Sequence, residues 1–121
     1  MGLATGVDMI EIERVREAID RQGDRFLNRI FTPRELEENQ RKAESLAGRF
    51  AAKESVAKAL GCGIGDVGWK EIEILRADRG APRLVLHGEA EKKANELGIR
   101  SWSLSISHTK NEAIAFVVGI S

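Results

Sequence analysis

The 121-residue sequence predicts an α+β chain, an antiparallel-type sheet packed by helices of which one is long, and three observations carry that prediction. Apolar residues alternate with period two near both ends of the chain, from Leu3 to Ile10 and again from Trp102 to Ser107 and Ala113 to Ile120. Between them, residues from about Glu44 to Leu60 repeat their apolar positions at helical spacing. A third alternating pair, Glu71 to Leu75 and Arg83 to His87, flanks a turn at Asp78-Arg-Gly-Ala-Pro82 and reads as a hairpin.

The elements follow in order. The strand at residues 3 to 10 feeds a helix in which Ile12, Val15 and Ile19 share a face, and Gly23 ends it. A short segment from Arg25 to Phe31 leads to Thr32-Pro-Arg-Glu35. That is a capping box: Thr32 caps, Pro33 takes the first helical position and Glu35 reaches back. The long helix stops at Gly61-Cys-Gly-Ile-Gly65, where glycines at alternate positions either expose amides to an anion or simply let the chain turn. After the hairpin, Gly88 to Gly98 reads as a short polar helix, and His108 to Glu112 joins the last two strands. No repeat, linker or low-complexity segment interrupts the chain, so residues 1–121 are expected to form one domain.

In two places charge sits where apolar residues belong. On the long helix Ala47, Phe50, Ala51, Glu54, Ala57, Lys58 and Gly61 share one face, and the members other than Glu54 and Lys58 are apolar or tiny. One reading is an i,i+4 salt bridge between Glu54 and Lys58 at the edge of that face. Asp8 is the second anomaly. Alternation puts it on the side of Gly6 and Ile10, so its carboxylate is expected to be half-buried. It caps the helix that begins near Ile12, or it joins Glu54 around a hard cation that removes the charge burial would penalise. Magnesium suits the second reading, because it takes one or two carboxylates, keeps waters and accepts phosphate oxygens.

Ser101-Trp-Ser-Leu-Ser-Ile-Ser-His108 has hydroxyls on one face and apolar side chains on the other, and His108 and Thr109 stand at its end, where they can donate to phosphate. His87 reads as structural. The formal net charge of zero gives no global basic field, so a nucleic-acid partner is not expected. A single cysteine, Cys62, rules out an internal disulfide and a cysteine-based zinc site, and reads as a small semi-buried residue. The sequence has no apolar run of about 18 residues and no basic-then-apolar leader, which predicts a cytoplasmic protein without a membrane partner.

Several stretches together resemble one family: Gly6-Val-Asp8 with Glu11-Ile-Glu-Arg14, Phe31-Thr-Pro-Arg-Glu-Leu36, Leu46-Ala-Gly-Arg-Phe-Ala-Ala-Lys-Glu54 with Lys58-Ala-Leu-Gly61, and Ser105-Ile-Ser-His-Thr109. In order and spacing they resemble bacterial holo-acyl-carrier-protein synthase, the small class of 4′-phosphopantetheinyl transferases, over nearly the whole chain. The resemblance implies the fold of that class. It also implies magnesium-dependent transfer of the 4′-phosphopantetheine arm of coenzyme A to a serine of an acyl carrier protein in fatty acid biosynthesis, releasing adenosine 3′,5′-bisphosphate. By position it makes Asp8 and Glu54 the metal carboxylates and sets Lys58 against the same phosphates. Glu54 or a metal-bound water then takes the serine proton, a neutral Lys58 being disfavoured beside a carboxylate.

Arg49, Gly61, His108 and Thr109 match family positions near the nucleotide, and the turn containing Gly80 and Pro82 matches a segment along the adenine. Many relatives carry Asn-Gly-Lys-Pro at that turn; here Arg79 or Arg83 stands in for the lysine that Ala81 replaces. Cys62 replaces a frequent threonine. Arg14, Arg21 and Arg25 lie close to one stripe of the first helix and its extension, interleaved with acidic residues. They form either a solvated charged face or, as the resemblance implies, the dock for an acidic carrier protein. The resemblance further implies a homotrimer with active sites between subunits, metal residues and some nucleotide contacts coming from different chains. Two rival readings use the same residues: a non-catalytic module that binds coenzyme A or a carrier protein, and a magnesium-dependent phosphoanhydride hydrolase.

Overall fold

The computed structural model describes residues 2–121. Among these described residues five strands and five α-helices form an α+β fold, with strands β1 (Leu3–Glu11), β2 (Ile72–Arg76), β3 (Pro82–Leu86), β4 (Ser101–His108) and β5 (Glu112–Ile120). The helices are α1 (Ile12–Gln22), α2 (Asp24–Ile30), α3 (Pro33–Glu38), α4 (Ala43–Ala59) and α5 (Gly88–Glu96). The strands form two separate antiparallel sheets. β5 is the centre of a three-stranded sheet ordered β1-β5-β4, and β2 and β3 make the hairpin. One row of the larger sheet runs Asp8, Ala115, Ile106, and the next row on the same face runs Ile10, Ala113, His108.

Helix α4 lies on this sheet because both partners offer small residues at the crossing. A Cβ on Gly6 would run into the Ser55 carbonyl, and one on Gly48 would stand 2.7 Å from the Ile106 methyl. The buried Ser55 hydroxyl donates to the Ala51 carbonyl at 2.7 Å and lies 3.1 Å from the Ala115 carbonyl, so the contact is dry yet satisfied. Ala51, Ala52, Val56, Ala57 and Leu60 pack against Ala115, Val117, Ile72 and Ile74 in one core. A second core gathers Ile12, Val15, Phe26, Leu27, Ile30, Phe31, Leu36 and Leu46. Even-numbered residues of β1 face α4, while Leu3, Val7 and Met9 point out with Ile114 and Phe116.

The capping box is present: the Thr32 hydroxyl accepts from the Glu35 N–H at 3.2 Å, and Glu35 accepts from the Thr32 N–H at 2.8 Å. Gly23, at φ 56°, closes α1 and breaks it from α2, so Arg25 belongs to a separate helix from Arg14 and Arg21. β1 continues through Glu11, which occupies the cap of α1, so Asp8 is mid-strand and caps nothing. Among the described residues no helix is long and apolar enough to cross a membrane.

Candidate active site

Strand β1 and helix α4 bring Asp8, Glu54 and Lys58 together. Asp8 faces the helix because it shares the even-numbered side of β1 with Gly6, whose missing side chain lets α4 approach. Its side chain is 22% exposed, half-buried as the alternation predicts. Lys58 does not pair with Glu54 one turn earlier. Its ammonium crosses to β1, donating to the Val7 carbonyl at 2.9 Å and to Asp8 Oδ1 at 3.2 Å. Burial first, and then the Asp8 charge, push the Glu54 carboxyl above its usual range, with Lys58 offsetting part of the rise.

Two carboxylates whose negative charges oppose one another, beside an exposed lysine, fit a hard divalent cation that accepts oxygen ligands. Among the described residues no three metal-ligating side chains converge, so a cation here would need water or phosphate oxygens to complete its shell.

A second group assembles on the other flank of α4. Glu44, Ser45, Gly48, Arg49, Gly80, Pro82, Ile106 and His108 line a cleft of about 180 Å³, bringing together four of the residues singled out for nucleotide contact. Arg49 is half-buried, and its Nε is buried without a hydrogen-bond partner. A guanidinium at a cleft, held with one N–H unsatisfied, suits an anion there. His108 is exposed, its Nδ1 lying 3.2 Å from the Thr109 carbonyl. Thr109 is not among the cleft residues. Its hydroxyl accepts from the Asn111 and Glu112 N–H groups at 3.2 and 3.0 Å and so holds the β4–β5 turn. Gly61, at φ 75°, lines a different, largely apolar cleft with Leu3, Ala4, Leu97 and Ile99. Arg14, Arg21 and Arg25 are all exposed, with Arg21 3.8 Å from Glu17.

The largest buried polar cluster escaped the sequence reading. Lys53 is fully buried, and its ammonium donates to Glu35 Oε1 at 2.8 Å, the Ile72 carbonyl at 2.6 Å and the Trp69 carbonyl at 3.1 Å, using all three protons. Glu35 Oε2 accepts from the Ile74 N–H at 2.8 Å. Next to this pair the Glu73 carboxylate accepts from the Thr32 hydroxyl at 2.6 Å and meets His87 Nε2 at 2.9 Å, which gives His87 the structural place expected of it. The signal lay in spacing: Leu46, Lys53 and Leu60 fall on one face, and both leucines are buried.

The profile of the 4′-phosphopantetheinyl transferase superfamily matches residues 4–117. The chain is 50% identical over 125 residues to a holo-[acyl-carrier-protein] synthase of Herpetosiphon aurantiacus, with 98% of each chain covered. Among solved structures it is similar to holo-[acyl-carrier-protein] synthase of Helicobacter pylori in complex with coenzyme A, at TM-score 0.88 and 35% identity, covering 96% of this chain and 99% of that one. The synthase of Neisseria meningitidis superposes with TM-score 0.88 at 36% identity, with 98% of each covered.

Proposed function

Because the chain belongs to the 4′-phosphopantetheinyl transferase superfamily, we propose that it carries out the reaction of a holo-[acyl-carrier-protein] synthase. It transfers the 4′-phosphopantetheine arm of coenzyme A to a serine of apo acyl carrier protein, releasing adenosine 3′,5′-bisphosphate, in fatty acid biosynthesis. The observation that carries this reading is the meeting of Asp8, Glu54 and Lys58 beneath a fold whose relatives include a coenzyme A complex. Residues 1–121 act as one transferase domain.

The serine oxygen forms a bond to the phosphorus bearing the arm as the bond from that phosphorus to the departing nucleotide breaks. Asp8 and Glu54 would hold magnesium, which supplies charge neutralisation on the diphosphate oxygens. Lys58 adds a fixed positive charge at the same place and is itself oriented by Val7 and Asp8. Glu54 also serves as a candidate acceptor of the serine proton; the rise that burial and Asp8 give its carboxyl belongs to the metal-free site, and a cation held there would oppose it. Arg49, Gly80, Pro82 and His108 take the nucleotide half, Arg49 through its guanidinium, while Gly61 and Thr109, which lie outside this cleft, keep only the role that the resemblance implies. Arg14, Arg21 and Arg25 present exposed positive charge to an acidic carrier protein, chiefly setting association rate.

The working unit in this reading is a cytoplasmic homotrimer with sites between subunits. Support comes from the apolar outer face of the larger sheet, where Leu3, Val7, Met9, Ile114 and Phe116 are all exposed. The test is the intact mass of apo carrier protein after incubation with this protein, coenzyme A and magnesium, beside a chelator control. A metal-dependent gain of one phosphopantetheine arm is expected. Arm released into solution would instead mean a hydrolase, and bound but unreacted coenzyme A a binding module.

A further inference from the structure

We infer that Arg76, the last residue of β2, is a second guanidinium of the nucleotide cleft, and that with Arg49 it reads the phosphate monoester on the 3′ position of the donor's adenosine. The inference rests on coenzyme A being the donor, as proposed above. Arg76 stands directly across the hairpin from Pro82. Directly opposed residues of an antiparallel pair project to the same face. Pro82 lines the cleft that holds Arg49, Gly80 and His108, so the Arg76 side chain leaves β2 on the cleft's side, at its border and not among the residues that line it.

Two further observations say that this side chain is free to bind. Arg76 is anchored by its backbone, whose N–H donates to Glu38 Oε1 at 2.8 Å, and its guanidinium is exposed. Among the described residues it forms no ion pair. Arg49 feels it: burial and then the Arg76 charge lower the Arg49 guanidinium, with Glu38 and Glu35 opposing. Like charges kept at one cleft, one of them with a buried N–H that nothing accepts, are unfavourable until an anion lies between them.

The chemistry of the donor then selects which anion. Its diphosphate is assigned to Asp8, Glu54 and Lys58 on the opposite flank of α4, which leaves the 3′-phosphate for this cleft. A phosphate monoester carries close to two negative charges at neutral pH and has three acceptor oxygens, enough for two guanidinium groups at once. A donor without it, 3′-dephospho-coenzyme A, leaves the repulsion between the two arginines offset only by Glu38 and Glu35. Arg76 is thus a specificity residue for phosphorylated over dephosphorylated donor.

The test compares wild type, Arg76→Gln, Arg76→Lys and the exposed control Lys92→Gln, which removes a charge on α5. With coenzyme A, Arg76→Gln is expected to raise KM about tenfold with kcat changed less than about twofold, and Arg76→Lys to recover part of the loss. With 3′-dephospho-coenzyme A the same substitution is expected to change KM by less than about twofold. Calorimetric titration with adenosine 3′,5′-bisphosphate and with adenosine 5′-monophosphate gives the same comparison without turnover. Equal losses with both donors, or none with either, overturn the role, as does a Lys92→Gln loss matching that of Arg76→Gln. If wild type fails to load a carrier but Arg76→Gln still weakens bisphosphate binding selectively, the transferase reading falls and this one stands.

Discussion

At the scale of single residues, charge set among apolar neighbours has two opposite meanings in this chain. Asp8 and Glu54 are half-buried and lack enough protein donors to satisfy them, so they are available to a ligand. Asp8→Ala or Glu54→Ala is therefore expected to lower metal-dependent carrier loading by about a hundredfold or more, with the circular dichroism spectrum unchanged. Loading within a few-fold of wild type would remove them from the metal-binding role. Lys53 is adjacent to Glu54 in sequence but contributes nothing of that kind, since Glu35, Trp69 and Ile72 occupy all its protons. Lys53→Met strands the fully buried Glu35 carboxylate, which costs about 3 to 5 kcal/mol when one partner of a buried pair is lost. The expected result is a large fall in the urea midpoint, with kcat of the remaining folded protein close to normal. A variant of wild-type stability would show that Glu35 finds its neutralisation elsewhere.

At the scale of elements, the network around Thr32 joins the start of α3 to the hairpin whose turn borders the candidate nucleotide cleft. Burial alone would raise Glu73, but hydrogen bonds from Thr32 and His87 and the His87 and Arg34 charges outweigh it and hold the carboxyl below its ordinary value. A depressed carboxyl stabilises the fold above its unfolded-state value, and that contribution is lost as pH falls through the lower folded-state value. Glu73→Gln, isosteric with the protonated form, is expected to cost about 1 kcal/mol at pH 7. In thermal melts the gap from wild type should close as the pH is taken below about 4. A gap that stays constant across that range would mean that Glu73 acts by shape and not by charge. The elements themselves were largely legible. Alternation located β1, β4 and β5 to within a residue or two, and Thr32-Pro-Arg-Glu35 located the start of α3, because period and capping are local properties. Contacts between elements were not local. Whether Lys58 would turn to Glu54 or to Asp8 depends on Gly6 admitting α4 against β1, and Arg76 gains its place only through pairing with Pro82.

At the scale of the whole molecule, the crossing of α4 over its sheet separates the two halves of the candidate site. The amino-terminal half of the helix, with Gly48 and Arg49, lies at β4 beside Ile106, whereas its carboxy-terminal half, with Ser55, Lys58 and Ala59, lies at β1 beside Gly6 and Asp8. Asp8 and Ile106 share a row of the sheet but stand on its two outer strands with Ala115 between them, about two strand spacings or 9 to 10 Å apart. Arg49 and Glu54, five residues apart, point to nearly opposite sides of the helix. A ring of identical chains would resolve this, because a head-to-tail interface would set the Asp8 flank of one copy against the Arg49 flank of the next. The exposed apolar row of Val7 and Phe116, flanked by Met9 and Ile114, gives such an association its driving force. Subunit mixing tests the arrangement directly. Asp8→Ala and Arg49→Ala chains, each nearly inactive alone, are unfolded together in equal amounts and refolded. If each site takes Asp8 from one chain and Arg49 from its neighbour, one interface in about four receives both intact residues, and loading activity returns to about a quarter of wild type. If both residues act within one chain, every site carries a defect and no activity returns, while light scattering reports whether a ring of three has formed in either case.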